Sequence, residues 1–116
     1  MSEELKERMQ VFALDVIRLT GDLPHDKVGD VIGRQLLKCG TSVGANYRAA
    51  SRAKSQADFV AKMGIVEEES DESLYWLELL IRAGLAQRRK VAGLLAEADQ
   101  FVAIAVASIR TARRNK

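Results

Sequence analysis

Six carboxylates crowd into residues 67–80, Glu67, Glu68, Glu69, Asp71, Glu72 and Glu78, with no basic residue among them. Carboxylates on facing helices are the raw material of di-metal sites, which need a Glu-x-x-His from each of two helices plus further inward carboxylates. The only histidine is His25, beside Pro24 in a turn-like stretch, so that ligand set is missing. Consecutive helical positions diverge by about 100°, so Glu67, Glu68 and Glu69 cannot address one ligand and most of the run is expected to be a solvated face. Glu69 and Glu72, three apart, flank an apolar stripe on the side of Ile65 and Trp76. As partly buried carboxylates they would need partners, and Arg48 and Arg52, near the end of the preceding helix, are the nearest expected. The expectation is a structural polar cluster of Glu69, Glu72, Arg48 and Arg52, weighed against plain solvated surface and against a binding or metal site.

No P-loop and no Cys-x-x-Cys occurs, and one histidine completes no triad with the residues available. The chain is therefore expected not to be an enzyme and to carry no cofactor and no metal. Tyr75 and Trp76 stand beside the acidic run, where aromatics at helical spacing read first as core and second as a ligand cleft or subunit interface.

The cations fall into three groups: Arg48, Arg52 and Lys54; Arg88, Arg89 and Lys90; and Arg110, Arg113, Arg114 and Lys116. In an up-down bundle the first and third groups share one end and the second lies at the other. Arg48, Arg52, Lys54, Arg110, Arg113 and Arg114 are thus the candidate phosphate-binding, hence nucleic-acid-binding, residues. A basic last turn also arises simply because cations suit the negative end of a helix dipole.

The elements that must position these groups are helical. Leu5, Met9, Phe12, Val16 and Leu19 step along one face of a first helix over Glu3–Thr20, which Gly21, Asp22, Leu23 and Pro24 break. A second helix begins near His25 or Asp26, with Val28, Ile32, Leu36, Cys39, Val43 and Ala50 expected inward. Its Gly29/Gly33 and Gly40/Gly44 pairs cost helix propensity, which points to close approach of another backbone or else to a kink at Gly40–Gly44. Ser55 and Asp58 resemble a capping box opening a third helix that runs to Gly84, striped by Phe59, Met63, Val66, Ser70, Ser73 or Leu74, Leu77 and Leu80 or Ile81. After Gln87–Lys90 a fourth helix carries Val91, Leu94 or Leu95, Ala98, Phe101 or Val102, Ala105, Ile109 and Ala112. Valine and isoleucine do not alternate and no hairpin turn occurs. The fold expected is all-α, an antiparallel up-down-up-down four-helix bundle, as a single domain over 1–116.

Composition sets the remaining bounds. The 116 residues carry 18 Lys and Arg against 16 Asp and Glu, for a net charge of +2 that forces no polyanionic partner. The charge is unevenly spread: +2 over residues 1–66, −6 over 67–80 and +6 over 81–116. Cys39 is the single cysteine, so an internal disulfide is impossible and the chain reads as cytoplasmic. Its first residues, Met-Ser-Glu-Glu-Leu-Lys-Glu-Arg, are too charged for a signal peptide. The longest weakly polar stretch, Phe101–Ile109, is about half of the ~20 residues a spanning helix needs, so no membrane contact is expected.

Gln35-Leu36, Thr41-Ser42-Val43-Gly44-Ala45-Asn46, Arg52, Ser55, Asp58-Phe59, Gly64-Ile65-Val66-Glu67-Glu68-Glu69 and Trp76-Leu77-Glu78-Leu79-Leu80 together look like a known family. The chain resembles the small four-helix bundle proteins named after the open reading frame in 23S ribosomal RNA intervening sequences. Ser42–Asn46 is similar to that family's Ser-Ile-Pro-Ala-Asn, with Gly44 in place of the usual proline. Arg48-Ala49-Ala50 stands where an Ala-Glu-Gly run is usual, so this chain lacks a carboxylate there. The resemblance implies a homo-oligomer, a ring of five subunits, without enzymatic activity. It also implies kinship with the strongly basic accessory bundle protein of diversity-generating retroelements, which binds nucleic acid. The function expected is a pentameric binding scaffold whose partner is RNA or DNA. The alternative is a protein-interaction module whose acidic third helix contacts a basic protein.

Overall fold

Four helices follow one another in the computed structural model, which describes residues 2–115: α1 (Glu3–Gly21), α2 (Lys27–Ser51), α3 (Gln56–Arg82) and α4 (Arg88–Arg114). Lys116, counted above in the C-terminal basic group, lies outside the described residues.

The helix boundaries follow from side chains that satisfy the otherwise unpaired N–H groups of a first turn. The Ser2 hydroxyl accepts from the Leu5 N–H at 3.0 Å, the Asp26 carboxylate from Gly29 at 2.8 Å, and the Ser55 hydroxyl from Asp58 at 3.0 Å. The Asp58 carboxylate returns to the Lys54 N–H at 3.1 Å, one residue earlier than a capping box requires. At the far end of α3, the Gly84 N–H donates to the Ile81 carbonyl at 3.0 Å and the Leu85 N–H to the Leu80 carbonyl at 2.9 Å. This closure needs a left-handed residue, and Gly84 supplies it at φ 75°.

Two contacts fix the direction of the helices. The Ser2 N–H donates to the Tyr47 hydroxyl at 3.2 Å, which places the start of α1 at the end of α2. The turn between α3 and α4 packs beside Leu19, Asp22 and Leu23 at the opposite end. The bundle is therefore up-down-up-down, a rod of 49 × 21 × 20 Å, with successive helices packed closely and α1 touching α4 more lightly. Fully buried Met9, Phe12, Leu36, Met63, Leu77 and Phe101 form its core, with the Phe12 and Phe101 rings edge to face at 5.4 Å.

The glycine-rich α2 runs unbroken through Gly40–Gly44, and the close approach of α1 accounts for its glycines. A Cβ built on Gly40 would stand 3.0 Å from both methyl carbons of Val16, and one on Gly44 3.3 Å from the Met9 Cβ. α1 thus lies so close along α2 that side chains there would push it away. Val28, expected inward, is instead 55% exposed, because it falls at the rim of α2, while Ile32 one turn later points into the core. Tyr47, absent from the expected stripe, is buried. α4 is apolar and long enough by length and composition to cross a membrane, a longer stretch than Phe101–Ile109, and 22% of its most apolar window is buried in the bundle, with Leu95 and Ile104 partly buried against the core.

Candidate functional site

The bundle topology brings the ends of α2 and α4 to one pole. Arg48 occupies the last turn of α2, Arg52 caps it, Lys54 follows in the turn, and Arg110, Arg113 and Arg114 close α4. All six side chains are exposed, and none forms an ion pair among the described residues. Arg48 and Arg52 reach back over α1 and line a cleft of about 580 Å³ together with Glu3, Lys6, Glu7 and Gln10. The acidic start of α1 therefore borders the cations on one side.

Arg48 and Arg52 do not meet Glu69 and Glu72, so the expected polar cluster does not form. The register explains it. The Ser73 hydroxyl donates to the Glu69 carbonyl at 2.8 Å and lies 3.3 Å from the Cys39 sulfur, which sets this stretch of α3 against the middle of α2. Lys38 is ten residues, about 15 Å, short of Arg48 along the helix. Glu69 is half-buried there: burial raises its pKa above the ordinary carboxylate range, Glu72 adds to the rise and Lys38 opposes it. Glu72 is exposed. The rest of the acidic run lines the outer side of α3, and among the described residues no three His, Cys, Asp or Glu side chains gather to hold a metal ion.

Cys39 is buried, and loss of solvent pushes its thiol up to about 11, which makes it inert at neutral pH. Tyr75 is exposed and stacks edge-on with Trp76 at 5.0 Å, while the buried Trp76 indole nitrogen has no hydrogen-bond partner among the described residues.

One catalytic pattern escaped the sequence reading: Gly40-Thr41-Ser42-Val43-Gly44 spells Gly-x-Ser-x-Gly. A nucleophile elbow needs that motif on a sharp strand-to-helix turn with a histidine in reach. Here it lies within an unbroken helix, and the Ser42 hydroxyl donates to the Lys38 carbonyl at 2.7 Å. His25 precedes the start of the same helix, at the other pole.

The residues that close the seam between α1 and α4 were also missed. Arg8 donates to Glu97 through two nitrogens, at 3.1 and 2.6 Å, and to the Gln100 side chain at 2.7 Å, with its guanidinium 5.5 Å from the centre of the Phe101 ring. The bond to Glu97 raises the Arg8 pKa. These partners are 89 positions apart, a separation over which helical spacing carries no signal.

No curated protein matches the chain. Its fold is similar to a crystal structure of a protein of unknown function from the S23 ribosomal protein family of Bacteroides thetaiotaomicron, at a TM-score of 0.84 and 33% identity over 90% of this chain and 97% of that one. The model of the 23S rRNA-intervening sequence protein family matches residues 3–107, in keeping with the Ser42–Asn46 segment and the Glu-containing third helix. The chain belongs to the 23S rRNA-intervening sequence protein family.

Proposed function

We propose that this protein is a non-enzymatic, cytoplasmic, homo-oligomeric scaffold, a ring of five subunits, that binds the phosphate backbone of RNA or DNA at its basic pole. The observation that carries the reading is the gathering of Arg48, Arg52, Lys54, Arg110, Arg113 and Arg114, all exposed and none ion-paired among the described residues, at one end of the rod. Arginine's planar fork matches phosphate oxygens, and five of the six are arginine. The charge of one copy is small, so assembly matters: a ring repeats the patch and adds its counterion release.

Binding of this kind is read by titrating RNA and DNA against the protein at several salt concentrations. The reading expects affinity to fall steeply with salt, and Arg48→Glu, Arg52→Glu and Arg113→Glu together to abolish it. Unchanged polyanion binding in that triple variant would overturn the basic pole as the binding surface, and no polyanion binding by the wild type at low salt would favour the acidic outer side of α3 and a basic protein partner.

A further inference from the structure

α1 and α4 each turn one face fully away from the core, and the two faces differ in kind. On α1 that face runs Glu3, Glu7, Gln10, Leu14, Ile17 and Gly21, in steps of four and three, and every one is exposed. Leu14 and Ile17 are 46% and 48% exposed, with Val11 beside them at 43%. On α4 the outward positions are Gly93, Ala96, Gln100, Ala103 and Ala107, again in steps of three and four and all exposed, followed by Arg110. Steps of three and four are the repeat at which one helix packs along another.

We propose that α1 of one copy docks along α4 of the next, its bulky ridge seated on the smooth face of α4. This rests on the oligomeric reading above and names the surfaces that build it. Charge selects the occupant. In an antiparallel register that sets Glu7 opposite Arg110, Leu14 falls opposite Ala103 and Gln10 opposite Ala107. Leu14 and Gln10 each meet an alanine, Ile17 falls opposite Gln100, whose side chain already accepts from Arg8, and an acidic end meets a basic end. Neither Glu7 nor Arg110 has an ion-pair partner among the described residues, so both are available to a neighbour. The contact joins two different faces, so each copy offers one of each and repetition closes a ring or extends a chain. Arg110 then borders the interface, while Arg48, Arg52, Lys54 and Arg113 stay open for phosphate.

The test is the mass in solution, by light scattering, of the wild type, Leu14→Glu, Ala103→Glu and, as a control on the rim of α2, Val28→Glu, with circular dichroism to show that each stays helical. The proposal expects an oligomeric wild type and control, and two helical monomers from the α1 and α4 variants. An oligomeric wild type whose mass survives either Leu14→Glu or Ala103→Glu would overturn this surface and leave the oligomeric reading standing. A monomeric wild type would overturn both, and its binding to lipid vesicles would then assign the uncovered face of α4 to a membrane.

Discussion

Arg8 and Glu97 join the first helix to the last through two parallel hydrogen bonds, with 89 residues of chain between them. α1 is held to α2 along its whole length but meets α4 lightly, so this pair and the Phe12–Phe101 contact are what close the bundle. Both side chains keep about a third of their exposure, 31% and 34%, so water weakens the attraction without removing it. Replacing Arg8 by alanine strands the carboxylate and uncovers the Phe101 ring, and should lower stability by about 1–2 kcal/mol. Chemical denaturation of Arg8→Ala and Glu97→Gln checks this; a midpoint equal to wild type in both would show that the seam is held by packing alone.

Gly40 lies where Val16 leaves no room, with both Val16 methyl carbons 3.0 Å from the site of a Cβ. Alanine is the better helix former by about 1 kcal/mol. The crowding should outweigh that gain, because Val16 is fully buried and its branched side chain has little freedom to turn. Gly40→Ala is expected to lower the melting temperature, whereas Gly64→Ala, with open space at its Cβ, should raise it. A stabilising Gly40→Ala would mean that α1 is not pressed against α2 at this point.

Glu69 is more costly as a carboxylate than as an acid, since burial, and then Glu72, raise its pKa in the folded chain. With the folded pKa above the unfolded one, the folded state holds the proton longer. The contribution of Glu69 to stability is thus greatest below its unfolded pKa and declines as pH rises through the folded value. Glu69→Gln should therefore stabilise the protein at pH 7, by less than about 1 kcal/mol given the partial exposure of the side chain, and should do little at pH 4. Thermal melts at the two pH values decide it, and a loss of stability at pH 7 would point to an ion-pair partner for Glu69.

Cys39 should behave as a core residue with a protected thiol. With its pKa raised to about 11 and its side chain buried, a thiol reagent at pH 8 should modify it only as fast as the bundle opens, and at once in denaturant. Rapid modification of the native protein would show α2 separating from α3 near Ser73.

Much of the fold was legible in the sequence because its determinants are local. The stripe of Leu5, Met9, Phe12 and Val16, the caps at Asp26 and Ser55, and the break at Leu23-Pro24 are each written within a few residues. The inward or outward choice at Val28 was not, because a position at the rim of a helix depends on how the neighbour is rotated. Nor was the register that brings Lys38 rather than Arg48 towards Glu69 legible, since sliding α2 along α3 by three turns exchanges the two without changing either helix's pattern. The gathering of cations at one pole was legible, because it needs only the alternation of helix directions. The bond from Arg8 to Glu97 needs the lateral placement of α1 and α4, which no spacing encodes.

The central claim is that copies of this bundle assemble and present a phosphate-binding pole. Light scattering on a sizing column, with absorbance at 260 and 280 nm, tests it in one experiment. The account predicts a mass near five subunits and a raised 260/280 ratio that disappears in high salt. A monomer with the absorbance of protein alone at every salt concentration would contradict it.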